Sequence, residues 1–126
     1  MVDDAEARIR QDLLAETENL ERSYRLIDGF LSGEDYDSLA LGQMIQSFKD
    51  SLSRASAFVL ALYNLKGKRV TIPWEPLFTS LDYALATVSV SLSPKQKAAV
   101  RTILSMSQEQ MTQVISYFEA LKESLK

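Results

Sequence analysis

The chain has 126 residues, a formal net charge of -3, and neither histidine nor cysteine. Zinc sites of Cys and His, haem attachment, Ser-His-Asp and Cys-His nucleophiles and histidine pH switches are excluded with those two residue types. With 46% hydrophobic and 25% charged residues the composition is that of an ordinary folded domain, long enough to bury a core without a staple, so one domain over 1–126 is expected.

The start, Met1-Val2-Asp3-Asp4-Ala5-Glu6, is acidic and carries no basic, then apolar, signal pattern, and the absence of cysteine fits a reducing compartment. A cytoplasmic protein is expected. The longest apolar stretch, Ala55 to Tyr63, is half a membrane span and contains Ser56, so no membrane partner is expected. Net acidity argues against nucleic acid, whose phosphates call for a concentrated basic face.

Gly33, Gly67, Pro73, Pro76 and Pro94 cluster at three junctions and divide the chain into four segments, with Gly29 and Gly42 as the only internal breakers. In the first, Asp3 and Glu6 have the spacing of a capping box, and a helix is predicted from about Asp4 to Ser32. Its apolar line is Leu13, Thr17, Leu20, Tyr24, Ile27 and Leu31, flanked by Ile9 and Phe30. Acids precede bases by four positions at Asp4/Arg8, Glu6/Arg10, Glu18/Arg22 and Glu21/Arg25, pairs worth about 0.2–0.5 kcal/mol each. Glu18 and Glu21 also form an E-x-x-E that could hold magnesium; a solvated, ion-paired face is the blander account of the same residues.

The second helix is predicted to start after Asp37 as N-cap, with Tyr36 stapled onto Leu41, and to reach Leu65. Leu41, Ile45, Phe48, Leu52, Ala55, Val59 and Leu62 repeat in alternating steps of four and three. The parallel line Met44, Ser51, Phe58 and Leu65 widens the face to that of a bundle helix.

From Val70 to Pro94 the only charged residues are Glu75 and Asp82. After Pro76, the line Leu77, Leu81, Leu85 with Ala84, Val88 and Leu92 predicts a shorter third helix. A competing signal is the period-two alternation over 69–72 and 86–92, which would pair as a two-stranded ribbon; an isolated hairpin is marginal, so the helix is preferred. Asp82 lies beside the apolar line, where burial would raise its pKa, although a carboxylate in that position commonly bonds a Lys, Arg or Tyr at the core edge.

The last helix has Ser93 as N-cap, Pro94 at the first position and Gln96 at the third. Val100, Leu104, Ser107, Met111, Val114, Phe118, Leu121 and Leu125 carry one apolar phase to the end. Leu92 to Val100 looks like the opening of a helix-turn-helix. The would-be recognition segment, 107–113, has no base and no turn residue before it, so one continuous helix is expected.

Three long helices of about 40–48 Å and a third of about 25 Å do not close a bundle evenly. The connection from Lys66 to Glu75 would therefore climb the bundle wall, with Val70, Ile72 and Trp74 packing inward and any uncovered seam left as a docking place. Up-down-up-down order sets Glu34, Asp35 and Asp37 beside Lys95, Lys97 and Arg101. It sets Asp3, Asp4 and Glu6 beside Lys66, Lys68 and Arg69, neutralising what would otherwise read as an anion-binding patch.

The fold expected is thus all-α: an antiparallel four-helix bundle with three long helices and a shorter third. The expected function is a non-enzymatic protein–protein interaction module, an adaptor, small chaperone or regulator, with a protein partner or a second copy as a homodimer and no cofactor. Val70, Ile72, Trp74, Phe78 and Tyr83 are the candidate interface, with Trp74 and Phe78 as anchors. The alternatives are a bundle sensing a small apolar ligand between the third and fourth helices, with Trp74, Phe78 and Tyr83 lining the pocket, and a carboxylate-based metal-dependent enzyme using Glu18 and Glu21.

Overall fold

The computed structural model describes residues 4–88 and 92–125. Five helices follow one another, α1 (Asp4–Leu31), α2 (Ser38–Leu65), α3 (Glu75–Val88), α4 (Pro94–Met106) and α5 (Gln108–Leu125). No strand occurs among the described residues. The fold is a helical bundle in which the fourth predicted helix is divided in two.

Cross-contacts fix the directions. Along α1 and α2, Ser23 Oγ lies 2.9 Å from Ser47 Oγ, Arg54 Nε donates to Glu16 Oε1 at 2.7 Å, and Lys66 reaches Glu6 at 3.8 Å, so the two helices run antiparallel. Between α2 and α3, Ser38 bonds the carbonyl of Val88, Lys49 pairs with Asp82, and Ser56 bonds Trp74 just before α3. At the far end of α1, Lys97 pairs with Asp35 at 2.9 Å, Arg101 donates to the Phe30 carbonyl at 3.3 Å, and Gln108 reaches Asp28 at 3.3 Å. The order is up, down, up, down, with acid and base meeting at both ends; Asp3, assigned to the first capping box and to one of those ends, lies outside the described residues.

The core is built from the predicted apolar lines. Leu13, Leu20 and Ile27 of α1, the full line from Leu41 to Leu62 of α2, Leu77, Leu81, Ala84 and Val88 of α3, Val100 and Leu104 of α4, and Met111, Val114 and Phe118 of α5 are buried. Asp37 and Ser93 cap α2 and α4 as expected, the latter in a reciprocal capping box with Gln96. Tyr36 packs against the core, its ring 6.0 Å from that of Phe30, and its hydroxyl donates to Glu34 at 2.6 Å.

Both long helices stop in the same way. After α1, the Glu34 amide bonds the Gly29 carbonyl and the Gly33 amide that of Phe30; after α2, Lys68 bonds Tyr63 and Gly67 bonds Asn64. These paired bonds consume the orphan carbonyls of the last turn and need a residue with positive φ, met by Gly33 (115°) and Gly67 (67°).

The division of the last helix falls on Ser107. Its N–H is shared between the carbonyls of Ile103 and Leu104, both at 3.2 Å, while its hydroxyl turns back onto Ile103 at 3.1 Å. The hydroxyl bond alone does not divide a helix, since buried Thr17 and Ser56 make the same bond inside unbroken helices. The division is a one-residue tightening of the ladder, with no glycine or proline, where one N–H is shared between two carbonyls. Apolar phase is unaffected, since Leu104, Ser107 and Met111 are all buried. The ribbon is not formed among the described residues: 69–74 are non-helical and unpaired, 86–88 complete α3, and 89–91 lie outside them. The stripe Leu77, Leu81, Ala84 and Val88 has a larger buried face to offer as a helix than period-two alternation has as an isolated pair.

Candidate functional site

The connection from α2 to α3 starts at Gly67, whose positive φ turns the chain back along α2. Beyond it burial alternates: Arg69, Thr71 and Pro73 are exposed, whereas Val70, Ile72 and Trp74 are half-buried against the core. This is the inward packing expected of an extended segment. Trp74 is the keystone. Its indole Nε1 donates to Ser56 Oγ of α2 at 2.9 Å, and its ring meets Tyr117 edge-on at 5.1 Å and Phe118 at 5.8 Å, both on α5. Ser56 can accept because its own proton is donated to the Leu52 carbonyl at 2.7 Å. The seam between α2 and α5 is therefore filled at this level by the tryptophan.

The open surface lies elsewhere. Between α3 and the α4–α5 junction runs a shallow cleft of about 470 Å³, with Tyr83, Ile103 and Met106 as its apolar residues and Thr79, Ser80 and Gln110 at its edges. No charged side chain lines it. Tyr83 is 68% exposed and Met106 80%, whereas Ile103 is half-buried. The helical phase contributes here: Leu104 and Ser107 face the core and Met106, between them, lies on the outside. On the other flank of α3, Leu39, Leu85 and Val88 line a second open groove against α2. Leu39 is 70% exposed.

Of the five candidate interface residues, the structure thus sets Val70, Ile72 and Trp74 together along the connection and Tyr83 apart from them in the cleft. Phe78 is half-buried and packed on the core. Ile103 and Met106 were passed over in the sequence because they sit off the core line of the last helix. The available signal was two large apolar residues on the face that the line leaves for solvent.

The remaining candidates have ordinary surroundings. Asp82 is 55% exposed on its side chain and pairs with Lys49 of α2. Among the described residues no group of three or more acidic side chains gathers where a metal could bind, at Glu18 and Glu21 or elsewhere. The segment 107–113 begins with a one-residue break and puts Met111 into the core, in contrast to the three- or four-residue turn that sets a recognition helix free.

Electrostatic perturbation is confined to a few groups. Burial, and secondarily the neighbouring phenol of Tyr63, pushes the Tyr117 hydroxyl above its ordinary value, while the bond to Glu34 does so for Tyr36. Asp35 is held below the usual carboxylate value by its hydrogen bond to Lys97. None of these three lines the cleft. Among the described residues no helix is long and apolar enough to cross a membrane. Comparison of the chain with protein-family models, with curated proteins and with solved structures finds no match.

Proposed function

We propose that the chain is a non-enzymatic protein–protein interaction module that docks through the cleft between α3 and the α4–α5 junction, with Tyr83 and Met106 as anchors. The observation that carries this reading is the uncharged cleft with two large, exposed side chains at its mouth. Exposed apolar surface of this kind gains most when a partner desolvates it, and aromatic and Met side chains are the enriched contact types. In this reading Tyr83 and Met106 take the anchoring role given to Trp74 and Phe78, because the Trp74 N–H already has Ser56, its ring has Tyr117 and Phe118, and neither Trp74 nor Phe78 lines the cleft. A second copy of the chain is the first partner to test, and the cytoplasm is the compartment the composition suggests for it.

Light scattering on the full chain, compared with Tyr83→Glu and Met106→Lys, is the direct test. The expected result is a dimer for the parent and a monomer for either variant, with helical circular dichroism unchanged because both side chains are exposed. A parent that stays monomeric, and that retains no partner lost by both variants, would sink the reading.

The same cleft supports a second reading, a site for a small apolar molecule, because it lies between α3 and α4 where such a ligand was expected. Its openness favours the larger partner. Native mass spectrometry separates the two, since a retained small ligand adds mass to the monomer.

A further inference from the structure

A second pocket, sharing no residue with the cleft, lies at the end of the bundle where α1 begins and α2 and α5 finish. It encloses about 180 Å³, the space of about six waters. Its apolar part is Leu62, Leu121 and Leu125, and its rim carries Arg10, Lys66 and Lys68. We propose that it binds a small amphiphilic anion, an acidic head on a short apolar body.

Three observations support the assignment. First, the pocket's rim carries three cations and no acid: Arg10 at 3.0 Å and Lys66 at 3.8 Å share one oxygen, Glu6 Oε1, and Lys68 has no ion pair among the described residues. Of the three N-terminal carboxylates expected to neutralise this end, Glu6 pairs with two cations, and Asp3 lies outside the described residues. Second, Arg10 already gives one N–H to Glu6, and its Nε has no hydrogen-bond partner among the described residues, in a side chain that is 37% exposed. An anionic oxygen is the partner that a guanidinium takes most strongly. Third, the position of Lys68 is built into the fold. The Gly67 turn, with Lys68 N–H on the Tyr63 carbonyl at 2.9 Å, folds the chain back over the end of α2 and returns a second lysine to the pocket that Lys66 already lines.

Leu62 is almost wholly buried, while Leu121 and Leu125 are half-buried, so the pocket has an apolar floor under a cationic rim. A free inorganic anion would use only the rim, and a neutral alkane chain only the floor. The volume admits a short chain and is below that of drug-sized ligand sites, which begin at roughly 300 Å³.

The test is a titration of the isotope-labelled full chain followed by amide chemical shifts, with octanoate, octanol and inorganic phosphate as separate probes. Octanoate is expected to saturate shifts at Leu62, Tyr63, Lys68 and Leu121, with octanol and phosphate each weaker by about tenfold or more. Lys68→Gln, an exposed position, is expected to weaken octanoate by about tenfold, and Lys95→Gln at the opposite end to leave it unchanged. Absence of saturable shifts with octanoate, equal binding of octanol or of phosphate, or indifference to Lys68→Gln would each overturn the proposal. Thermal melting of the variants confirms that the comparison is made between folded proteins.

Discussion

Trp74 shows how one side chain does several structural tasks. Trp74→Phe removes the N–H together with part of the ring, so it should cost about 1 kcal/mol of hydrogen bonding plus a packing loss, and Ser56→Ala about 1 kcal/mol for the same bond. Because they delete the same bond, the double variant should fall short of the sum by about 1 kcal/mol, read from urea unfolding of the four proteins. Additive costs would mean that the Trp74–Ser56 contact contributes nothing. Trp74→Ala should cost about 3 kcal/mol, since the ring contacts with Tyr117 and Phe118 disappear as well.

Tyr117 carries the clearest pH dependence at this scale. Its folded-state pKa lies above the ordinary 10.0 because burial disfavours the phenolate. The unfolded chain then loses the proton first, so this stabilisation is complete below pH 10 and is withdrawn as pH rises through the folded value. The urea midpoint should decline in that alkaline window. Tyr117→Phe should flatten part of the decline and leave the part due to Tyr36, which is raised by its bond to Glu34. An identical slope in parent and variant would show that the Tyr117 hydroxyl is not protected by the fold.

At the scale of elements, helix ends are governed by backbone conformation more than by contact. An added Cβ at Gly67 would meet nothing within 4 Å, so the cost of Gly67→Ala is conformational, about 1 kcal/mol from the positive φ. Gly67→Asn should cost less, because asparagine tolerates the left-handed region, and Gly67→Val should cost more than either. Urea midpoints that ranked valine with asparagine would contradict the origin assigned to the turn. The break at Ser107 is the complementary case, a division without glycine or proline. There the N–H is shared between the carbonyls of Ile103 and Leu104 while Leu104 and Met111 hold the apolar phase, so the helix divides without a change of buried face.

For the whole molecule, the cleft beside α3 and the pocket at the bundle end are separate surfaces. The bundle buries its apolar lines around one core, closes the α2–α5 seam with Trp74, and leaves uncharged surface beside α3 and a cation-rimmed pocket at one end. If the cleft joins two copies, association is linked to folding and the melting temperature should rise with protein concentration. Tyr83→Glu should abolish that dependence while leaving the melting temperature at low concentration close to that of the parent. Octanoate binding should be indifferent to Tyr83→Glu, because the end pocket shares no residue with the cleft.

Helix positions, caps and core lines were legible in the sequence because they depend on interactions within a few residues of one another. Asp37 and Ser93 announce starts, Gly33 and Gly67 announce stops, and the run from Leu41 to Leu62 names its buried face by spacing alone. Shape was accessible to the same reasoning as far as lengths reach: a short α3 and a long connection implied that the connection would climb the wall. What covers what was not. The one-residue division at Ser107 has no glycine or proline to announce it and shows only in the backbone, where one N–H is shared between two carbonyls. Trp74 acquired its place from Ser56 on one helix and Tyr117 and Phe118 on another, and the cleft exists because Tyr83 and Met106, distant in the chain, end up beside one another's helices with no third element above them among the described residues. Local chemistry is written along the chain; which apolar surface remains open is decided only when separate helices have packed, because it is what remains after every other contact is made.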